Sequence, residues 1–592
     1  MVPQLRQLLT FFCFLVCYWI AASPSMAWQR SNASAKPNLR TNKHSTTSAL
    51  TAENVAAARI IERHLNRSYV NRILSVQVGE RRITVSGRTK KASADLFLRD
   101  IPLATKTGEV LNQNALDQSA LIPVEIVDKR FTVELPRFVN DIQPAKDRLL
   151  SRWQLFEKTS SAFRPASNVR YAEDVACNNP DLPAAELKSK KGLGGWNPAR
   201  APQLKNELAQ LGITSVTVNV FPLHAFVSPV KRPGHSEFQW QGQSYFANEA
   251  KFAKADKTFR AAAEQGAMVS AILLAANAPN KNDANQWLLN HPDTQPEARY
   301  AIPNMTSSAS VDYYGAIINF MAQRWSRPDG KFGRVHHWIV HNEVDFAWEW
   351  ANAGVKSDVE YMDLYHRSMR LVDLIVRQHD PHARAWISLT HHWAKPGHPR
   401  AYGSKRMLAL LRKFCSAQGD FPWGVAFHPY PQSLLNPRSW EDKQAVFNFD
   451  TPKITPKNIE VLDAYMAQRK LQYRGETRPV QLSENGFNSP DYSPESFRDQ
   501  AAGMAMAWKK IENLDAIIAW QYHNWIDNRN EGKLRLGLRR FKDDKEQPLG
   551  KKPIWGLYQA LATDQEDAAC EPYLKTIGIN SWSEVQFSGK IK

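Results

Sequence analysis

Two glutamates stand where an apolar run gives out. Trp338-Ile339-Val340-His341-Asn342-Glu343 carries a hydrophobic stretch into an amide and a carboxylate. Val480-Gln481-Leu482-Ser483-Glu484-Asn485-Gly486 delivers a second carboxylate, followed by a glycine that permits a tight turn. Short apolar runs of this kind read as buried strands, so each glutamate is expected at the C-terminal end of one. Two carboxyl groups facing each other across a cleft have a specific use. Cleaving a glycosidic bond needs a proton on the leaving oxygen and negative charge beside an oxocarbenium-like carbon. Retaining enzymes meet both needs with carboxyl groups about 5–5.5 Å apart. One of the pair must keep its proton near neutral pH, through burial or the charge of the other. The plainer alternative for each is a surface glutamate or a structural ion pair.

The elements that must position them follow a regular order. From about residue 165, strands alternate with helices. The strands read at 213–221, 268–274, 335–340, 385–390, 424–427, 479–482 and 516–520, with helical patterns such as 311–325, 359–378, 405–415 and 496–511 between them. An eighth strand is needed before Pro202, at 186–192 or at 168–171. Eight such units close a (β/α)8 TIM barrel, whose active sites lie at the C-terminal strand ends. Glu343 then follows the fourth strand and Glu484 the seventh. An open doubly wound sheet is the competing architecture, but no glycine-rich phosphate loop follows a strand. The fold class is therefore α/β, with the barrel over 165–562. A small antiparallel, β-sandwich-like domain precedes it over 66–150, where alternating runs recur at 73–78, 82–87, 94–98, 124–127 and 131–135. That domain either braces the barrel or binds sugar. Residues 28–65 read as a flexible leader and a short helix, and 563–592 as a C-terminal extension.

The first residues address the chain. Arg6 precedes an apolar run over 8–22, and Ser25-Met26-Ala27 forms a small-x-small cleavage site, the layout of a secretory signal peptide spanning 1–27. The run is short for a membrane anchor. The expected location is secreted or periplasmic, after cleavage near Ala27, with no membrane span in the mature protein. Cys13 and Cys17 leave with this segment, and the wide spacing of Cys177, Cys415 and Cys570 matches neither a metal knuckle nor a disulfide framework. The 19 Trp suit stacking on sugar rings as well as core filling. A formal charge of +18 attracts polyanions, sulfated or uronic polysaccharides among them, and fits a solvated basic surface equally well. Nucleic acid is not expected, because no recognition motif occurs and the charge is dispersed.

Asn342-Glu343 after the fourth strand and Glu484 after the seventh resemble the motif pair of the glycoside hydrolase clan A superfamily, over residues from about 165 to 562. The resemblance implies Glu343 as general acid/base, Glu484 as nucleophile, and Asn342 as partner of a sugar 2-hydroxyl. It implies a His or Tyr near the nucleophile, here His428 and Tyr430 after the sixth strand, and a sugar-stacking Trp closing the eighth, here Trp520. It departs on the second strand, where many members carry an arginine and this chain has Asn219. His392, from its place after the fifth strand, is expected as a further substrate contact. Trp348 and Trp350, together with a hairpin bearing Phe238, Trp240 and Tyr245, would wall the mouth; His523, Trp525 and Asp527 stand after the eighth strand. The partner is then a poly- or oligosaccharide, and double displacement at two carboxylates needs no metal or organic cofactor. Two alternatives stand beside this reading. One is a catalytically silent carbohydrate-binding barrel. The other is a metal-dependent hydrolase using His336-His337, His341 or His391-His392. Adjacent strand residues point to opposite faces, however, and no His-Glu-x-x-His helix occurs.

Overall fold

Eight parallel strands close a barrel in the computed structural model, which describes residues 50–90, 95–109, 121–139, 146–159, 162–277, 283–532 and 534–592. They are β1 (Lys191–Leu193), β2 (Ser215–Val220), β3 (Met268–Leu273), β4 (His337–Val340), β5 (Arg384–Thr390), β6 (Gly424–His428), β7 (Val480–Asn485) and β8 (Ile517–Tyr522). Each pairs with the next, and β8 returns to β1 through Lys191 opposite Trp520 and Leu193 opposite Tyr522. The expected signal segment and most of the leader lie outside the described residues. Among those described, no helix is long and apolar enough to cross a membrane.

The strands read as apolar runs because helices cover the barrel outside and side chains fill it inside. The filling is partly polar. Ser270 Oγ donates to Gln481 Oε1 at 2.8 Å, and Gln521 Nε2 donates to Ser215 Oγ at 3.0 Å. Gly192 makes room for this layer: a Cβ there would stand 2.4 Å from Ser215 Oγ. Of the two places offered for the first strand, 186–192 overlaps β1. Residues 168–171 belong instead to the N-terminal domain, where Arg170 bridges to Trp153.

That domain is a sandwich of two four-stranded sheets. One holds Arg72–Val78, Arg82–Arg88, Arg130–Pro136 and Asp174–Val175. The other holds Leu96–Ile101, Ile122–Pro123, Arg152–Lys158 and Phe163–Pro165. It therefore runs past residue 150, to Val175. Arg152 to Phe156 are buried without alternation, because both faces are covered, so the period-two signal disappears there. Helix Asp358–Arg377 lies between barrel and sandwich. It opens on a capping box made by Ser357 and Glu360, and every residue from Val359 to Val376 is buried. The C-terminal extension is fastened to helix Pro494–Ile511 by Lys509 with Glu566 and Asp567.

Candidate active site

Glu343 leaves β4 on a backbone that turns left-handed twice, at His341 (φ 64°) and at Glu343 itself (φ 40°). Non-glycine residues adopt this region at a cost, typically where the surroundings over-determine the conformation. They do so here. His341 is buried with Nε2 2.9 Å from Ser368 Oγ and Nδ1 3.3 Å from the Leu273 carbonyl. The Glu343 N–H donates to Ser388 Oγ at 2.9 Å, and the Phe346 N–H donates to the Glu343 carbonyl at 2.8 Å. Two residues on, Asp345 accepts from the Thr390 N–H at 2.9 Å and from Ser404 Oγ at 2.8 Å. The carboxyl is thus aimed by β5 and the segment after it as much as by its own strand.

The Glu343 side chain is 15% exposed, and its Oε1 lies 2.8 Å from His428 Nδ1. Burial, with Glu349 nearby as a like charge, pushes the carboxyl up to about 8. A charged imidazole would act in the opposite sense. Burial, however, lowers His428 below its ordinary value despite the charge of Glu484, so the pair is best described as a neutral imidazole beside a protonated acid. His428 Nε2 lies 3.1 Å from Ser483 Oγ, in the residue before Glu484. One imidazole therefore links the ends of β4, β6 and β7.

Glu484 is 6% exposed and accepts a hydrogen bond from the Tyr430 hydroxyl at 2.8 Å. Burial and the neighbouring Glu484 charge hold Tyr430 well above the usual phenol range, so the hydroxyl keeps its proton and donates it in the bond to Glu484. Glu343 also acts on Tyr430 electrostatically, which puts both carboxyls in the field of one hydroxyl. On the far side, His523 lies in the field of Glu484, with Nε2 3.2 Å from Glu531 Oε1. Burial works to neutralise that imidazole, but Glu531 and Glu484 outweigh it and raise His523 above its ordinary value.

Of the expected contacts, Asn342 sits beside Glu343, almost fully buried, with its Oδ1 lacking a hydrogen-bond partner. A buried amide oxygen left in this state is a ready acceptor. Asn219 lines the same cavity as Glu484. His392 is buried after β5 beneath Gly397, where a Cβ would stand 2.5 Å from its ring. Trp520 is not at the mouth. It points outward from β8 into the shell, fully buried against Trp508 and Tyr558, and the strand continues two residues beyond it. It reaches the site only through Asn485, whose Oδ1 accepts its indole N–H at 3.0 Å. The residue that emerges beyond β8 is His523. The hairpin of Phe238, Trp240 and Tyr245 is also displaced from the mouth: it packs on helix Ser308–Trp325, with Phe238 4.7 Å from Phe320 between ring centres. Trp350 is buried against Tyr300, while Trp348 lies under the Arg400 guanidinium.

Ser388, Ser483 and Glu531 were not marked out by the sequence. Each supports a site residue from another strand or a later loop, and nothing in its own neighbourhood signals that. Among the described residues, no group of three or more His, Cys, Asp or Glu is arranged to hold a metal ion.

The model of a family described as "Family of unknown function (DUF5722)" matches residues 183–585. No curated protein matches the chain. Solved structures overlap it loosely. A family 39 glycoside hydrolase from the gut symbiont Bacteroides cellulosilyticus WH2 is 13% identical over 84% of this chain and 81% of its own, with a TM-score of 0.41. Bacteroides uniformis beta-glucuronidase 2, as a calcium binding mutant, is 10% identical over 84% and 51%, at 0.36. A family 1 β-glucosidase from Thermotoga maritima is 11% identical over 64% and 87%, also at 0.36. The fold stands on its own strand pairing.

Proposed function

We propose that this chain, which belongs to the DUF5722 family, is a retaining glycoside hydrolase in which Glu343 is the general acid/base and Glu484 the nucleophile. The observation that carries the reading is the division of labour between two buried carboxyls at one mouth. Glu343 keeps its proton up to about 8, and Glu484 receives the Tyr430 hydroxyl. Divergent environments for two carboxyls are the mark of an acid paired with a nucleophile. In the first step Glu484 attacks the anomeric carbon while the Glu343 proton passes to the departing oxygen. In the second, Glu343, now ionised, takes a proton from water as that water displaces Glu484. Asn342 Oδ1 accepts from the sugar 2-hydroxyl, which gives its buried oxygen a partner. Tyr430 donates to Glu484 and orients it, His523 stands in its field, and His428 aims Glu343. The N-terminal segment with Arg6 and Ala27 exports the protein, so the mature N-terminus should start near Trp28 by mass spectrometry.

Azide rescue tests the assignment. Glu484→Gly should fold, lose turnover on a carbohydrate panel, and regain it with azide, giving a glycosyl azide of inverted configuration. Glu343→Gly with azide should give the retained configuration. Near-wild-type turnover by Glu484→Gly on the substrate of the parent enzyme would sink the reading. A silent carbohydrate-binding barrel would bind the panel and turn over none of it.

A further inference from the structure

The barrel wall is open on one side above Leu193. There β1 ends, paired to β2 only at Ser215 and Val216. β2 runs on to Val220 with β3 as its strand partner. On its other edge a loop, 194–200, replaces a strand. Between that loop and β2 lies a crevice of about 210 Å³ with Glu484 and His523 in its lining. Val218, which faces the shell, is only half-buried as a result.

The charged lining of this crevice is one-sided. Apart from Glu484 it consists of Arg200, Lys251 and Lys254, with the His523 imidazole beside them. Lys251 does not wander from it. Its ammonium donates to the Phe221 carbonyl at the end of β2, at 2.7 Å, and lies 5.0 Å from the centre of the Phe226 ring. An ammonium has three donors, and this bond uses one. Arg200 comes from the loop on the opposite wall and is half-buried, and Lys254 stands exposed at the outer rim. A neutral sugar needs no cation beside the reacting carbon. Cations drawn from two walls into one narrow space, by contrast, favour an anion strongly, because charge-assisted hydrogen bonds gain strength where water is displaced. The formal charge of +18 is spread over the chain, whereas these cations line the same cavity as the nucleophile.

We propose that the crevice receives the anionic group of an acidic sugar, a carboxylate or a sulfate, so that the substrate is an acidic glycan. The proposal rests on the hydrolase reading for the identity of the site and goes beyond it in naming the substrate class. Lys251 and Arg200 grip the anion from either wall while the ring sits over Glu484. Lys254 gathers such chains from solution.

The test is calorimetric binding to the full-length Glu343→Gln protein, which needs no turnover. The probes are oligogalacturonate and oligoglucuronate, chondroitin sulfate oligosaccharides, and uncharged oligosaccharides of the same lengths. At least one acidic probe should bind more tightly than every uncharged one and weaken with salt. It should lose about tenfold in affinity when Lys251→Ala is added. Lys254→Glu, at an exposed position, should weaken it too without affecting the fold. Uronate and sulfate probes decide between the two anions. Acidic probes binding no better than uncharged ones, or both lysine variants binding them unchanged, would overturn the proposal. Turnover confined to neutral glycans would overturn it while leaving the hydrolase intact. Charge-selective binding without turnover by the parent enzyme would instead remove the hydrolase reading.

Discussion

Burial of Glu343, with Glu349 nearby as a like charge, makes its carboxyl retain a proton up to about pH 8. The imidazole at its side, itself kept neutral by burial, does not oppose this. Two outcomes follow at the residue scale. Hydrolysis should decline as pH rises through about 8, and kcat/KM against pH would display that limb; activity constant to pH 10 would exclude Glu343 as the acid. Stability carries the same signature. Below about 4.5 the group is protonated folded and unfolded alike and contributes nothing. Between about 4.5 and 8 only the folded state keeps the proton, so stability falls as pH rises; above 8 the full penalty of a buried carboxylate is present. Glu343→Gln removes that penalty while retaining the shape. It should therefore unfold at higher urea than the parent at pH 8, by up to a few kcal/mol, and match it near pH 4.5. Equal midpoints at pH 8 would contradict a buried, proton-retaining Glu343. Tyr430→Phe keeps the ring and deletes the donor to Glu484, so kcat should drop about 100-fold with the fold unchanged. Both glutamates were legible in the sequence because an isolated carboxylate at the end of an apolar run is conspicuous. Ser388 and Glu531 were not, since each acquires its role only when another strand or loop is brought alongside.

At the scale of elements, the strands carrying the site could be read from their apolar runs, but their phase could not. β8 extends to Tyr522 and shifts register against β7 between Val480 and Gln481, where Ala519 rather than Ile518 lies opposite Gln481. A local irregularity of this kind reverses which side chains face inward, which is why Trp520 belongs to the shell and His523 to the mouth. Gly486 shows a similar limit. The sequence suggests a turn glycine after Glu484, whereas the structure gives it a different duty, close approach. A Cβ at 486 would stand 1.8 Å from the His523 carbonyl oxygen, on the chain segment whose N–H donates to the Asn485 carbonyl. No rotamer relieves a clash with backbone. Gly486→Ala should therefore force the ends of β7 and β8 apart. It should cost about 3 kcal/mol or more in urea unfolding and lower turnover in whatever protein remains folded, since Glu484 and His523 share that junction. A variant with parental stability and activity would show that this junction is slack.

For the whole molecule, the N-terminal sandwich is joined to the barrel through helix Asp358–Arg377, and one hydrophobic cluster runs through both. The joint is made largely by arginines. Arg370 lies between the Tyr171 and Phe421 rings, 4.5 Å from each centre, and donates to the Ala172 carbonyl. Arg367 is 1% exposed; its Nη1 donates to the carbonyls of Leu103 and Ala104 in the N-terminal domain and of Met305 in the barrel. Its Nη2 pairs with Asp363 at 2.8 Å, itself 1% exposed. A fork that satisfies carbonyls from two domains and one buried carboxylate together has no substitute in a shorter or single-headed cation. Arg367→Ala would leave Asp363 charged and buried with three carbonyls unpaired, a loss of about 3–5 kcal/mol. Arg367→Lys should fall between it and the parent. Because the same arginine ties both domains, the parent should melt in one calorimetric transition. Arg367→Ala should melt several degrees lower and, with the joint weakened, in two. Two separate transitions already present in the parent would show that the sandwich is an independent passenger. A single one, split by this substitution, would make it part of the frame that holds helix Asp358–Arg377, and with it the β4 end, in place. His341 provides the physical link for that effect, since it packs against Ser368 of this helix and its left-handed turn sets the direction in which Glu343 leaves the strand.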